Sequence, residues 1–126
     1  MSENQTCPFC IPNPSEKVIE NSLAYAKWDT HPVTEGHLLI IPKRHFADYF
    51  EAIAEEKGEL WGLVDQGKAL VDQKFKPDGY NVGINVGASA GQTIFHLHIH
   101  LISRRKGDME NPRGGVRHVI PSKGSY

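Results

Sequence analysis

Little in this 126-residue chain could serve as a covalent staple, a membrane anchor or an electrostatic grip on a polyanion. Cysteine occurs only at Cys7 and Cys10, within one Cys-Pro-Phe-Cys unit. Two thiols so close together cannot brace a secreted fold, but they suit a metal or a redox reaction. No apolar run approaches the roughly 18 residues of a membrane-spanning helix. The polar start Met1-Ser2-Glu3-Asn4-Gln5 lacks a signal-peptide pattern. A formal net charge of -1 gives no field that would draw nucleic acid or an anionic membrane. Internal repeats and low-complexity segments are missing too. These absences predict a soluble, cytoplasmic protein. With 39% hydrophobic residues, residues 1–126 are expected to form one domain around one core.

What is present concentrates in Phe95-His96-Leu97-His98-Ile99-His100-Leu101-Ile102. Strand side chains point to opposite faces with period two, so one face would carry Phe95, Leu97, Ile99 and Leu101 and the other three imidazoles. Neighbours on one face of a strand stand roughly 6.5–7 Å apart, close enough to surround one small anion. One ring can then attack a phosphorus while the others orient it or hold oxygens. The plainer readings are a solvated histidine face or a histidine-only metal site. A solvated face would more readily use Lys, Thr or Glu, so the pattern predicts an active-site strand.

The rest of the chain supplies a frame. Cys7 to Ser15 is too rich in Pro and Asn for regular structure. Leu23 to Trp28 reads as a strand, closed by Asp29-Thr30-His31-Pro32, where Pro32 keeps His31 out of the helical region. Gly36 to Pro42 reads as a buried strand. Leu60, Trp61, Val64, Val71 and Phe75 recur at helical spacing and predict one long amphipathic helix from about Ala54 to Phe75, with Trp61 and Phe75 in the core. Gly58, Gly62 and Gly67 weaken that helix by up to about 1 kcal/mol each, which close packing against a sheet or a second subunit would explain. Pro77-Asp78-Gly79 turns into a strand from Tyr80 to Val86. The Gly87 to Thr93 segment is either a simple hairpin loop or a phosphate-facing one, and its delivery of Gln92 and Thr93 beside His96 favours the second. A basic tail from about 103 to 126 carries Arg104, Arg105, Lys106, Arg113 and Arg117, either as a solvated terminus or as phosphate partners. The expected class is α+β: a mostly antiparallel sheet of about five strands with one long helix. His31 and His118 are expected at the surface, without a role.

His96-Leu97-His98-Ile99-His100-Leu101-Ile102 resembles the signature of the histidine-triad (HIT) superfamily. Gly36-His37-Leu38-Leu39-Ile40-Ile41-Pro42-Lys43-Arg44-His45 looks like that family's second block, Asp29-Thr30-His31-Pro32 like its nucleoside-side loop, and Asn85 through Thr93 like its phosphate loop. The resemblance implies a nucleotide hydrolase that cleaves a bond to the α-phosphate of AMP-containing substrates, adenosine phosphoramidates or diadenosine polyphosphates. It implies His98 as nucleophile, His100 on a nonbridging phosphate oxygen, and Gln92 on the phosphate or bridging oxygen. Thr93 would serve proton transfer to the leaving group, Asn85 the phosphate pocket and Asp29 the ribose. His37 would give indirect support or be merely structural. Magnesium is not obligatory, because protein donors can neutralise the phosphate. A homodimer with a continuous larger sheet is implied as well.

The Cys-x-x-Cys unit is a redox pair, a pair of idle thiols or half of a structural zinc site. Some family members and the related galactose-1-phosphate uridylyltransferases join such a unit to a histidine after the Ile-Pro-Lys block and to the first triad histidine. The resemblance therefore implies Cys7, Cys10, His45 and His96 as zinc ligands, with His96 only indirectly catalytic. Two other functions stay open: a nucleotidyltransferase or phosphorylase passing the nucleotidyl group to phosphate or a sugar phosphate, and a zinc-stabilised purine-nucleotide binding protein with little turnover. The expected partner is a purine mononucleotide or dinucleotide.

Overall fold

The computed structural model describes residues 7–126; the polar start at Met1–Gln5 lies outside the described residues. Five strands, β1 (Ile19–Glu20), β2 (Ala24–Trp28), β3 (Leu38–Pro42), β4 (Gly79–Ile84) and β5 (Ile99–Arg104), form one sheet. Their order is β1-β2-β3-β5-β4, and every neighbouring pair is antiparallel. The α+β expectation is met. The two-residue β1 is the one strand that the sequence did not suggest.

The long helix α1 (Ala54–Phe75) has the bounds that the hydrophobic spacing predicts. Glu56 accepts the amide of Ile53 at its start, and it also takes two bonds from Arg44, at 2.8 and 2.9 Å. At the other end Lys76 adopts a left-handed φ of 51° before Pro77, which cannot extend the helix. Leu60, Leu63 and Val64 on the inner face pack against Ala24, Ala26, Leu38, Ile40, Ile99 and Leu101. A Cβ on Gly67 would stand 2.7 Å from Leu38 Cδ2, so glycine there lets helix and sheet approach. A Cβ on Gly58 or Gly62 would meet nothing within 4 Å among the described residues, so close packing within them accounts for Gly67 but not for those two. Trp61 is also not core. Its indole N–H donates to Tyr49 Oη at 3.2 Å on the outer surface, while Phe75 is half-buried, edge-on to Trp28.

The histidine stretch departs from a continuous strand. Only His100 lies within β5; His96 and His98 precede it, and Phe95 is 51% exposed instead of sharing the buried face of Leu97, Ile99 and Leu101. Proline explains the early end of pairing. The β3–β5 ladder stops at Ile40↔Ile99, two residues short of Pro42, which has no amide hydrogen to offer. His96 Nε2–H instead donates to the Pro42 carbonyl at 2.7 Å, and the Leu97 amide pairs with Phe46 O at 2.7 Å.

The end of β5 and the largely exposed segment that follows it make contacts of their own. Arg104 forms two 2.8 Å bonds with Asp108, holding that carboxyl well below its ordinary range, and a third with Asn81. Arg113 and Arg117 stack on the Tyr126 ring beside a short helix α2 (Pro121–Gly124). Among the described residues no helix is long and apolar enough to cross a membrane.

Candidate active site

The sheet face away from α1 carries Tyr25 and Lys27 from β2, Leu39 and Ile41 from β3, and His100 from β5. The loop at Cys7–Cys10 folds over part of it, anchored where Tyr25 Oη donates to Phe9 O at 2.5 Å. The remainder is a cavity of about 360 Å³. Asp29, Asn85, Gln92, Thr93, His98 and His100 all line it, although they come from four separate stretches of chain. His96 and His45 lie behind its wall. None of Arg104, Arg105, Lys106, Arg113 and Arg117 lines it.

Hydrogen bonds fix which ring nitrogens carry protons. The nitrogen His98 Nδ1 is 2.8 Å from the carbonyl of His96; a carbonyl only accepts, so Nδ1 holds the hydrogen and Nε2 keeps a lone pair. His100 has the opposite arrangement. The Val33 amide donates to His37 Nδ1 at 3.0 Å, so the His37 hydrogen sits on Nε2, which is 2.9 Å from His100 Nδ1. His100 Nδ1 therefore accepts, and its hydrogen is on Nε2. Rings with centroids 5.0 Å apart thus present one lone pair and one donor.

The same surroundings keep His37 and His100 neutral. Burial, with smaller contributions from His98 and His37, pushes His100 down to about 4. Burial also lowers His37, partly offset by Asp29, whose Oδ2 lies 3.4 Å from His37 Nε2. Asp29 Oδ1 accepts the His31 amide at 2.8 Å, which holds the carboxylate at the rim.

Gln92 is 4% exposed, and both ends of its amide are engaged. Its Oε1 accepts from Gly87 N at 2.9 Å, while Nε2 donates to Ala47 O and Ile94 O at 3.0 and 3.2 Å. In this state the side chain shapes the Gly87–Thr93 loop. Asn85 is half-buried and Thr93 exposed, both on the cavity. Phe9, Lys27, Thr30 and His31 are among the lining residues to which the sequence assigned no role. Lys27 shares the strand face of Asp29 by its spacing of two, a usable signal; Phe9 gave none.

Behind the cavity, one ligand atom each from Cys7, Cys10, His45 and His96 lies within 4.8 Å of the others. Cys10 Sγ is 3.1 Å from His45 Nδ1 and 3.5 Å from His96 Nδ1, Cys7 Sγ is 3.4 Å from His96 Nδ1, and the two Nδ1 atoms are 3.2 Å apart. Donors of a tetrahedral zinc site stand roughly 3.4–3.6 Å apart, so the set fits that ion. The bond to Pro42 O puts the His96 hydrogen on Nε2 and leaves Nδ1 free to coordinate, as a ligating ring requires. Asp29, His37 and His100 form a second such cluster, but its nitrogens are committed to the relay just described.

A family model for the HIT domain matches residues 12–107. An uncharacterised HIT-like protein of Synechococcus elongatus is 40% identical over 73% of this chain and 81% of its own length. A bis(5'-adenosyl)-triphosphatase of Dictyostelium discoideum is 37% identical over 77% of this chain and 65% of its own. Among solved structures, a zinc-bound histidine triad family protein from Mycobacterium smegmatis superposes with a TM-score of 0.75 at 30% identity, covering 86% of this chain and 81% of that one.

Proposed function

The chain belongs to the HIT domain family, and on that premise we propose that it is a nucleotide hydrolase that breaks a bond to the α-phosphorus of purine nucleotides such as adenosine phosphoramidates or diadenosine polyphosphates. The observation that carries this is the pair of opposite tautomers in one cavity: a lone pair on His98 Nε2 beside a hydrogen on His100 Nε2. The likeness to a bis(5'-adenosyl)-triphosphatase supports the substrate class.

In the first step the His98 Nε2 lone pair attacks phosphorus, a phosphorus–nitrogen bond forms, and the bond to the leaving group breaks. His100 Nε2–H donates to a nonbridging oxygen as its charge grows. The leaving group departs with a proton that the Thr93 hydroxyl relays from solvent. Water then attacks the nucleotidyl-histidine and gives up a proton to solvent, the phosphorus–nitrogen bond breaks, the nucleoside monophosphate leaves and the electron pair returns to His98. Splitting one displacement into two lowers each barrier. Asp29 holds the ribose hydroxyls, Asn85 lines the phosphate end, and Gln92 fixes the loop there or, released from Gly87, reaches the phosphate.

Cys7, Cys10, His45 and His96 would hold a structural zinc, which would tie the N-terminal loop to the residue whose carbonyl orients His98. The family likeness to a zinc-bound protein supports this. A homodimer is supported by the edge of β4, which no strand among the described residues pairs, and by Gly58 and Gly62, where an added Cβ would meet none of the described residues within 4 Å.

The test is a substrate panel. Adenosine phosphoramidate or diadenosine polyphosphate should give AMP, at a rate that His98→Ala lowers on the order of 10³-fold or more. Full turnover by that variant would remove His98 from the mechanism. Nucleoside diphosphate formed when inorganic phosphate is added would favour the transferase reading. Tight nucleotide binding with no product from any substrate would leave a binding protein.

A further inference from the structure

Lys27 is a charged residue that the reaction above does not use, yet it lines the same cavity and is only 7% exposed. An ammonium has three hydrogens to place and no acceptor of its own, and leaving them unmatched away from water is costly. Among the described residues Glu16 Oε2 takes one of them, at 2.8 Å. Glu16 is itself fixed, since its Oε1 accepts the Asn13 amide at 3.0 Å in the turn Pro14–Glu16. The lysine is therefore held in place with donors to spare.

Its position is set by the register of the sheet. Lys27 pairs with Leu39, and Leu39 with His100, so Lys27 and His100 lie in one cross-sheet row two strand spacings apart, roughly 10 Å. Asp29 follows Lys27 on the same face. A nucleotide with its phosphate at His98 and His100 and its ribose at Asp29 would lay its base over Leu39, beside Phe9, with an edge toward Lys27. A span of two strands suits a two-ring base.

We propose that Lys27 reads the base edge and selects a 6-oxopurine, hypoxanthine or guanine, over adenine; this rests on the cavity being the nucleotidyl site proposed above. A 6-oxo group is an acceptor that the ammonium can satisfy. A 6-amino group turns donor toward donor and leaves both unmatched in a poorly hydrated place.

Inosine and adenosine phosphoramidates, which differ at the six-position, separate the possibilities. For the unaltered protein kcat/KM should be higher for inosine by about tenfold or more, and in Lys27→Met the ratio should fall to within about threefold of one. Calorimetric titration of the same two proteins with IMP and AMP should give the same order of affinity. Equal or adenosine-favouring kcat/KM in the unaltered protein would overturn the proposal, as would an inosine preference that survives in Lys27→Met. If no substrate is turned over, the hydrolase reading fails. The IMP-to-AMP affinity ratio of the unaltered protein then decides the base reading: an IMP preference upholds it and a ratio of one overturns it.

Discussion

His98 and His100 carry their hydrogens on opposite nitrogens because their neighbours differ, and each difference is measurable on single residues. Burial keeps His100 neutral, and the relay from the Val33 amide through His37 turns its hydrogen toward the cavity. In the ligand-free protein the His100 ring should keep its neutral-form NMR shifts, with Nδ1 unprotonated, from pH 8 down to about pH 5; a transition near the ordinary histidine value of about 6.5 would contradict the relay. His37→Leu deprives His100 of its donor, so kcat should fall about 10- to 100-fold with KM little changed. A variant that raises KM alone would show His37 to act on binding. The alternation marked the stretch, and the structure places His98 and His100 on one cavity with His96 in the Cys–His cluster behind it. The protonation of His98 and His100 was not legible there, because the partners that set it, Val33, His37 and the His96 carbonyl, are brought there by the fold and leave no mark in the spacing.

At the scale of elements, α1 is decided by its own sequence and the histidine strand by its neighbour. Apolar positions at helical spacing sufficed to bound Ala54–Phe75, since a helix makes its backbone bonds within itself. A strand needs a partner, and where β3 runs into Pro42 the ladder beside His96 and His98 stops, whatever alternation those residues carry. The same strand end then serves the site, because the Pro42 carbonyl is left to fix the His96 ring. Two helix glycines test the packing. Gly67→Ala should cost about 1–3 kcal/mol in urea unfolding, as its Cβ would overlap Leu38. Gly62→Ala should gain up to about 1 kcal/mol if that face meets water, whereas a loss coupled to dissociation in sedimentation would place the face in the dimer contact.

For the whole molecule, the buried neutral histidines tie stability to pH, and a zinc on the Cys–His cluster would tie it to metal. His37 and His100 have folded values below the unfolded value near 6.5, so the unfolded chain binds more protons as pH falls from about 6.5 toward about 4. Stability should be greatest above that window and decline through it; the urea midpoint should drop between pH 7 and pH 5, and by less in His100→Asn. Elemental analysis should find about one zinc per chain, lost in the Cys7→Ser, Cys10→Ser double variant together with several degrees of Tm; a fully folded, metal-free protein would remove zinc from the account. The central claim is that His98 carries the nucleotidyl group between two displacements. A single-turnover reaction with an adenosine phosphoramidate or diadenosine polyphosphate, rapidly quenched and mapped by peptide mass spectrometry, addresses it directly. The predicted result is a transient nucleoside-monophosphoryl mass on the peptide bearing His98, localised to that ring and absent in His98→Ala; the same adduct on another residue, or product formed at the full rate by His98→Ala, would contradict it.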